Sequence, residues 1–239
     1  MLWNLLALVL IIFPQEKELG KLIGKFESSI RTQNLDSVRY YYSKLRSTGK
    51  DRGDYIGLYI NGFTIFKMLT ADSFFKNHTY LDSAIYYLEK CIATNPDFSD
   101  AYALLGSLYG LKALTNLSKV VQYGKKSTEY FEKAKMINPE NPRVYYLEGI
   151  GLFFRPKSFG GGKEKALSSF KKAIEFYQKE KDNPLSWGYL DCMAFLGFAF
   201  EELGEKENAL KVYGDILEIE PNYKWVKERV EKFRQSGGK

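Results

Sequence analysis

Residues 196–221 of this chain read LGFAFEELGEKENALKVYGDILEIEP, and they decide its fold. Small residues such as Gly197 and Ala209 recur with bulky residues such as Tyr213 at three- and four-residue spacing, which places them on helical faces. Gly204 interrupts the pattern midway, and the final proline ends it because proline has no amide hydrogen to donate within a helix. The stretch therefore predicts two helices packed closely as a hairpin.

Similar stretches precede three earlier prolines. Residues 84–96 read AIYYLEKCIATNP, residues 130–139 read YFEKAKMINP, and residues 166–173 read ALSSFKKA ahead of Pro184. Each has a small residue, an aromatic residue or leucine, and a further small or apolar residue on one helical stripe. The chain therefore contains an internal repeat.

This pattern resembles the tetratricopeptide repeat, a helix–turn–helix unit of about 34 residues. The resemblance implies an all-α solenoid of stacked hairpins with lengthened repeats and a C-terminal capping helix. The residues expected to be structural in the repeat signature are Ala84, Pro96, Gly106, Ala134, Pro139, Gly149, Ala166, Ala173, Gly197, Ala209 and Pro221.

The repeats are longer than those of the family at residues 110–126 and residues 155–162, so we expect a long helix or extra turn at the first and an inserted loop at the second. Residues 46–54 are polar and predict a linker. The chain divides into an apolar leader, a degenerate helical pair, the repeats, a capping helix and a disordered tail, at residues 1–15, 16–53, 54–222, 223–235 and 236–239 respectively.

The N-terminal residues 2–13 read LWNLLALVLIIF. This run is shorter than the roughly 20 residues that span a bilayer, and it suits the core of a secretory signal peptide. No Lys or Arg precedes it and no small-x-small cleavage site follows. A buried N-terminal helix and a short uncleaved anchor are the alternatives. Export is favoured, which predicts a periplasmic or cell-envelope protein that associates with membranes only through its N-terminus.

The amino-acid composition argues against several classes of catalytic and metal-binding protein. The single histidine, His78, lies in a polar turn and argues against a histidine-based triad or metal site. The two cysteines, Cys91 and Cys192, are too few for a zinc ribbon or an iron–sulfur cluster, and we expect two buried free thiols. Neither a Rossmann fingerprint nor a Walker A motif occurs. We expect no catalytic residues, no metal and no cofactor.

The net charge of +6 leaves nucleic-acid binding open at first. The 29 carboxylates interspersed among the basic residues favour a solvated surface over a phosphate-tracking stripe. Together with export, this predicts no nucleic-acid partner.

The least generic stretch is residues 155–163, RPKSFGGGK. A glycine run that opens a helix can present backbone amides to an anion, and Lys163 would add charge. It is not a P-loop, because Lys157 stands where that motif needs glycine. The alternative is that an inserted loop needs glycine for backbone angles that other residues avoid.

The loop and the helix after it resemble a subgroup of bacterial exported tetratricopeptide proteins with a P-x-x-F-G-G-x-x-x-K-A signature. More remotely, they resemble the T component of TRAP transporter systems, a periplasmic helical-repeat protein that associates with a solute-binding partner. The lipoprotein cysteine expected of that component is absent here.

The chain has 18 Tyr and 17 Phe, several of them adjacent, as in Tyr145-Tyr146 and Phe153-Phe154. Adjacent helical residues point about 100° apart, so one of each pair faces the core and the other a groove or neighbour. Core packing is the better interpretation for most, but an exposed aromatic side chain on a concave face binds well. The candidate binding residues are Tyr145, Arg155, Phe159, Gly160, Gly161, Lys163 and Trp187.

The leading hypothesis is a non-enzymatic scaffold that holds a peptide or partner domain on its concave face. The alternative is a small-molecule accessory protein with an aromatic-lined pocket that the two insertions close. Insertions folded over the concave face would favour the pocket, and insertions pointing outward would favour the open groove.

Overall fold

The computed structural model describes the backbone of residues 2–71, 79–180 and 183–236, and the side chains of residues 16–71, 80–180 and 183–235. Within these ranges the chain is all-α and contains no strand, so the predicted fold class is confirmed. The helices are α1 Leu2–Arg31, α2 Leu35–Arg52, α3 Tyr55–Thr70, α4 Thr79–Thr94, α5 Ser99–Thr115, α6 Val120–Ile137, α7 Pro142–Phe154, α8 Lys163–Lys179, α9 Tyr189–Glu202, α10 Lys206–Ile219 and α11 Lys224–Ser236.

Consecutive helices pack as antiparallel hairpins, α1 with α2, α3 with α4, and so on to α9 with α10. Neighbouring hairpins stack, and α11 follows as a last single helix packed on α10. Each hairpin covers the apolar face of the next, so one hydrophobic core runs the length of the array.

A glycine in the first helix of several hairpins sets the close approach to the second. A Cβ built on Gly106 would lie 2.9 Å from the Phe131 ring, and one on Gly149 would lie 2.6 Å from Phe170. A Cβ on Gly197 would overlap the Tyr213 ring. The glycines therefore leave room for aromatic side chains of the second helices.

The predicted polar linker at residues 46–54 is wrong. Helix α2 continues to Arg52, and the break is confined to Gly53 in the left-handed region (φ +65°) and Asp54, whose side chain accepts a hydrogen bond from Gly57 N–H at 2.8 Å. Arg46 holds the segment against α3 by donating to Asn61 O at 3.1 Å. Tertiary contacts thus keep polar residues helical.

Both insertions point outward. At residues 110–126 the structure has a long α5, a short 3-10 turn at Leu117–Lys119 and then α6, with Leu117 79% exposed. In the second insertion Phe159 is 67% exposed. Both side chains therefore face mainly solvent.

Several sequence predictions concern the chain's ends and polar turns. No described helix is both long and apolar enough to cross a membrane. Helix α1 begins at Leu2, but the side chains of the apolar run at residues 2–13 lie outside the described ones, as do His78 and residues 237–239. The predicted leader, the solvated histidine and the disordered tail therefore stay predictions.

Candidate functional site

Helix α1 contacts the inner face, which we define as the surface around Lys67 of α3 and around Gly188 and Asp191 at the start of α9. Leu19, Ile23 and Phe26 of α1 are buried. These three side chains recur at helical spacing and form the apolar stripe of α1. The chain's own first helix therefore covers part of the surface on α3 and α9, two of the first helices on which the sequence predicts that a partner binds.

A buried ion cluster fastens α1 there. The Lys67 ammonium donates to Glu27 Oε1 at 2.8 Å and to Asp191 Oδ2 at 2.6 Å. Arg31 of α1 lies 3.6 Å from Asp191 Oδ1 and 3.3 Å from Glu220 Oε2. These contacts join α1, α3, α9 and the α10–α11 turn, so the cluster ties distant hairpins together.

The electrostatics of the cluster favour the charged forms. Burial would raise the pKa of the Asp191 carboxyl, but Lys67 and Arg31 outweigh burial and leave the pKa below its usual value. Burial would lower the pKa of Lys67, but Asp191 and Glu27 leave it raised. Each charge is therefore stabilised by its partners, the condition for a buried ion pair to persist.

Trp187, a predicted binding residue, lies in the interior. Its side chain is 2% exposed, and its indole N–H donates to Tyr59 Oη at 2.6 Å. Its ring packs against Phe63 with centroids 5.1 Å apart. Trp187 therefore fills the centre of the inner face and is not available to a partner.

Tyr145 is buried as well. Its hydroxyl donates to Pro139 O at 2.7 Å, and Lys172 Nζ lies 4.4 Å from its ring centroid. This hydrogen bond connects the start of α7 to the turn that precedes it. Its environment is that of a packing residue.

In the loop at residues 155–163 the glycines serve the backbone. Gly160 and Gly162 have φ of +81° and +138°, values that favour glycine, and a Cβ on Gly161 would overlap Arg155 O. The amides of Gly160, Gly161 and Gly162 donate within the protein, to Lys157 O, Pro156 O and Leu152 O. The amides of the three glycines are therefore already used.

Lys163 lies beside a group of partly exposed rings, which we call the aromatic row and define as Phe154, Phe195, Phe198 and Trp225. The ring centroids of Phe154 and Phe195 are 6.3 Å apart, and those of Phe198 and Trp225 are 5.7 Å apart. The buried Phe153 joins the two pairs from below, 6.4 Å from Phe195 and 4.9 Å from Phe198. The row therefore runs continuously across α7, α9 and α11.

The aromatic row is accessible. Phe154 is 56% exposed, and Phe195, Phe198 and Trp225 are half-buried. Tyr146 connects the row to the interior, since its ring lies 6.3 Å from Phe195 and 6.4 Å from Trp187. The row thus extends the inner face beyond the part that α1 occupies.

Two cations contact Phe198 of the row, Lys163 with its Nζ 5.9 Å from the ring centroid and Arg229 more closely, and each is paired with a carboxylate. Lys163 Nζ lies 3.8 Å from the Phe153 ring centroid and 2.8 Å from Glu202 Oε2. Arg229 lies 4.3 Å above Phe198, and its Nη1 donates to Glu201 Oε1 at 3.1 Å. These contacts stabilise the positions of the Phe153 and Phe198 rings.

Four residues of this site were not predicted from the sequence: Phe195, Phe198, Trp225 and Arg229. A signal was present, because Phe195 and Phe198 are three residues apart and share a helical face. Only the stacking of hairpins shows that this face meets Phe154 and Trp225.

An open hollow of about 440 Å³ lies at the α1–α2 turn, lined by Thr32, Asn34, Asn222, Lys224 and Lys227. This lining is polar, unlike the predicted aromatic pocket. In the part of the chain that the structure describes, no three His, Cys, Asp or Glu side chains converge as metal ligands.

Residues 190–223 match the family model of the tetratricopeptide repeat. No curated protein sequence matches the chain. Among solved structures, the HusA haemophore from Porphyromonas gingivalis is similar, with a TM-score of 0.61 and 23% identity over 77% of this chain and 92% of its own.

The tetratricopeptide protein TTC0263 from Thermus thermophilus is also similar, with a TM-score of 0.61 and 16% identity over 91% of this chain and 97% of its own. At these identities the likeness concerns the fold. Residues 190–223 are thus a tetratricopeptide repeat, and the described helices together have the fold of tetratricopeptide-repeat proteins.

Proposed function

We propose that this protein is a non-enzymatic interaction scaffold of the cell envelope that binds a polypeptide partner on the aromatic row. The main support for this proposal is one accessible line of rings across three helices, formed by Phe154, Phe195, Phe198 and Trp225. Large aromatic side chains supply much of the energy of protein–protein binding, because each buries a large apolar area on few rotatable bonds.

The row fits this role better than the rest of the inner face does. The part around Trp187 is already covered by α1, whose Glu27 pairs with Lys67. A partner that binds around Trp187 would have to displace the buried ion cluster. A partner that binds at the aromatic row would only have to displace water from the exposed faces of the rings. The envelope location rests on the apolar run at residues 2–13 and on its interpretation as an export signal.

Site-specific photo-crosslinking tests the proposal. A benzophenone amino acid replaces Phe154, and in a control it replaces Tyr86, which is equally exposed at 56% on another hairpin. We expect a defined polypeptide adduct from position 154, formed in the native host, and none from position 86. Equal labelling from both positions, or no adduct at 154, would refute the row as the partner site.

A small-molecule function, similar to that of a solute-handling transport component, is the second candidate. The specific observation in its favour is the same row of rings, since accessible aromatic side chains can also stack on planar ligands. HusA is a haemophore, and it has a similar fold. Native mass spectrometry distinguishes the two: a stoichiometric small molecule that is lost in Phe198→Ala would favour this second function.

A further inference from the structure

We infer that the two insertions form one surface that contacts an anionic lipid bilayer. We call this surface the insertion edge and define it as residues 114–121, at the α5–α6 turn, and residues 155–160, at the α7–α8 turn. The inference goes beyond the proposed function, because no residue of the insertion edge belongs to the aromatic row. It adds a second, separate membrane contact to the N-terminal one that the sequence predicts.

Both turns lie on the same edge of the array. The start of α7 lies beside the start of α5, since Asn141 Nδ2 donates to Asp100 Oδ1 at 2.6 Å. Helix α6 runs back between them, so α5 and α7 run parallel and end on the same edge. The insertions directly follow these two ends. The lengthened parts of both repeats therefore extend from neighbouring hairpins in the same direction.

The insertion edge exposes large apolar side chains at its tips. Leu114, Leu117 and Val121 are largely exposed at the first turn, and Phe159 is largely exposed at the second. A cluster of exposed apolar side chains marks a contact with another protein or with a membrane. A globular partner would need a matching depression for each turn, whereas the interfacial region of a bilayer deforms around side chains that enter it. Projecting apolar tips therefore favour the bilayer.

Basic residues predominate in the stretches that carry these tips. Between Asp100 and Glu129 the chain has four lysines and no acidic residue, and residues 149–163 contain three basic and no acidic residues. Lys119 is exposed within the first turn, and Lys165 donates to Gly160 O at the second. Apolar side chains flanked by basic ones are the composition of protein segments that lie in the interface of anionic membranes.

Carboxylates outside these stretches cancel only part of the charge. Four ion pairs involve them: Lys112 with Asp82, Lys125 with Glu129, Lys157 with Glu164 and Lys163 with Glu202. Lys119, Arg155 and Lys165 form no ion pair with the described side chains, so a net positive charge remains on the insertion edge. The α9–α10 turn carries Glu205 and Glu207, which limits the basic surface to the two insertions.

The test uses the full chain with an environment-sensitive dye at one position. The dye is attached through Leu117→Cys or Phe159→Cys, and in a control through Met136→Cys. Cys91 and Cys192 are buried in the folded chain, so the dye reacts with the introduced thiol. Met136 is the matched control because it is 77% exposed, against 79% for Leu117, and lies at the other end of the same hairpin.

Vesicles of phosphatidylglycerol and phosphatidylcholine in equal parts are compared with vesicles of phosphatidylcholine alone. With the anionic vesicles we expect the dye emission at positions 117 and 159 to shift to shorter wavelength, because the dye enters an apolar environment, and the emission at position 136 to stay unchanged. The shift should need at least about tenfold more lipid when phosphatidylglycerol is left out. Added salt should reduce this difference because it screens the charges.

Phe159→Ser tests whether the two turns act together. With the dye at position 117, this variant should need about tenfold more lipid for the same shift, the loss expected when one phenylalanine side chain no longer leaves water. Ile219→Ser, which removes an exposed apolar side chain from the opposite edge, should leave the lipid requirement unchanged. Circular dichroism checks that both variants keep their helices. An unchanged requirement in Phe159→Ser would overturn the single surface.

Three results would overturn the bilayer contact. The first is no shift at positions 117 and 159, even if residues 2–13 carry the chain onto the vesicles. The second is an equal shift at position 136, which would show adsorption by the whole surface. The third is a shift at position 117 that grows with protein concentration without lipid, which would make the insertion edge a contact between copies of this chain. The crosslinking at position 154 tests the aromatic row independently of all three.

Discussion

The Lys67 ammonium lies 2.6 Å from Asp191 Oδ2, although 124 residues separate them in the sequence. Both side chains are largely buried, and Glu27 of α1 completes the bridge at 2.8 Å from Lys67 Nζ. The Lys67–Asp191 ion pair therefore connects the second hairpin directly to the fifth, and Glu27 of α1 joins the same cluster. An open solenoid in which hairpins touch only their neighbours has no such contact.

Replacing Lys67 with methionine should destabilise the chain by about 3–5 kcal/mol, because it leaves Glu27 and Asp191 buried without a cation between them. Urea denaturation followed by circular dichroism measures the change. Lys21→Met is the matched control: Lys21 pairs with Glu18 on the exposed surface, so its loss should cost less than about 1 kcal/mol. Equal effects of the two variants would contradict the structural role of the cluster.

The stability that Asp191 contributes should depend on pH at the acid end. Because its pKa is lowered in the folded chain, its contribution is fully present above the unfolded value of about 3.9 and is lost as the pH falls through the lowered folded value. The difference in unfolding free energy between the native chain and Asp191→Asn should therefore shrink on acidification below about pH 4. A difference that stays constant down to about pH 2 would contradict this assignment.

Gly197→Leu should destabilise the last repeat by several kcal/mol, since a side chain there overlaps Tyr213 and forces the helices apart. A sharper comparison uses alanine. Gly197→Ala should lower the melting temperature, whereas Gly214→Ala, at a helical glycine with nothing within 4 Å, should raise it slightly through helix propensity. An unchanged melting temperature in Gly197→Ala would contradict the packing.

The loop at residues 155–163 should tolerate loss of its charges but not of its glycine. Arg155→Ala combined with Lys163→Ala should cost about 1 kcal/mol or less, because the Lys163–Glu202 pair is over 30% exposed on both sides. Gly161→Ala should cost more, since its Cβ overlaps Arg155 O. Thermal denaturation of both variants measures the two losses of stability. A larger loss in the Arg155→Ala, Lys163→Ala variant than in Gly161→Ala would show that the charges hold the loop.

Both cysteines should be unreactive in the folded chain. Burial raises the pKa of Cys91 to about 12 and that of Cys192 well above its usual value, so the reactive thiolate is rare at neutral pH. A thiol-reactive dye should label neither residue in buffer and both in urea. Rapid labelling of the folded chain would show that the second or the fifth hairpin opens.

Much of the local structure could be predicted from the sequence. The recurring small and aromatic residues predicted the hairpins, because helix–helix contacts within a hairpin involve residues close in the chain. Gly197 with Tyr213 is an example in which the sequence pattern matches the packed pair. The burial of both free cysteines was also predicted and is confirmed.

The candidate site was less predictable. Trp187 and Tyr145 were expected to be available to a partner, but an aromatic side chain suits a core and a binding surface equally well. The glycines at 160–162 could serve an anion or the backbone, and only the partners of their amides distinguish these roles. Phe198 and Trp225 meet only because α9 and α11 pack side by side.

The sequence by itself therefore determined the all-α class, the hairpin repeat and the positions where small residues admit aromatic ones, since these depend on spacings of a few residues. The tertiary structure alone decided that α1 occupies the inner face and that the aromatic row stays accessible. The physical reason is that both depend on how far successive hairpins rotate around the array, which sums many small packing angles. The accumulated rotation brings Lys67 close to Asp191, and no local sequence pattern predicts this contact.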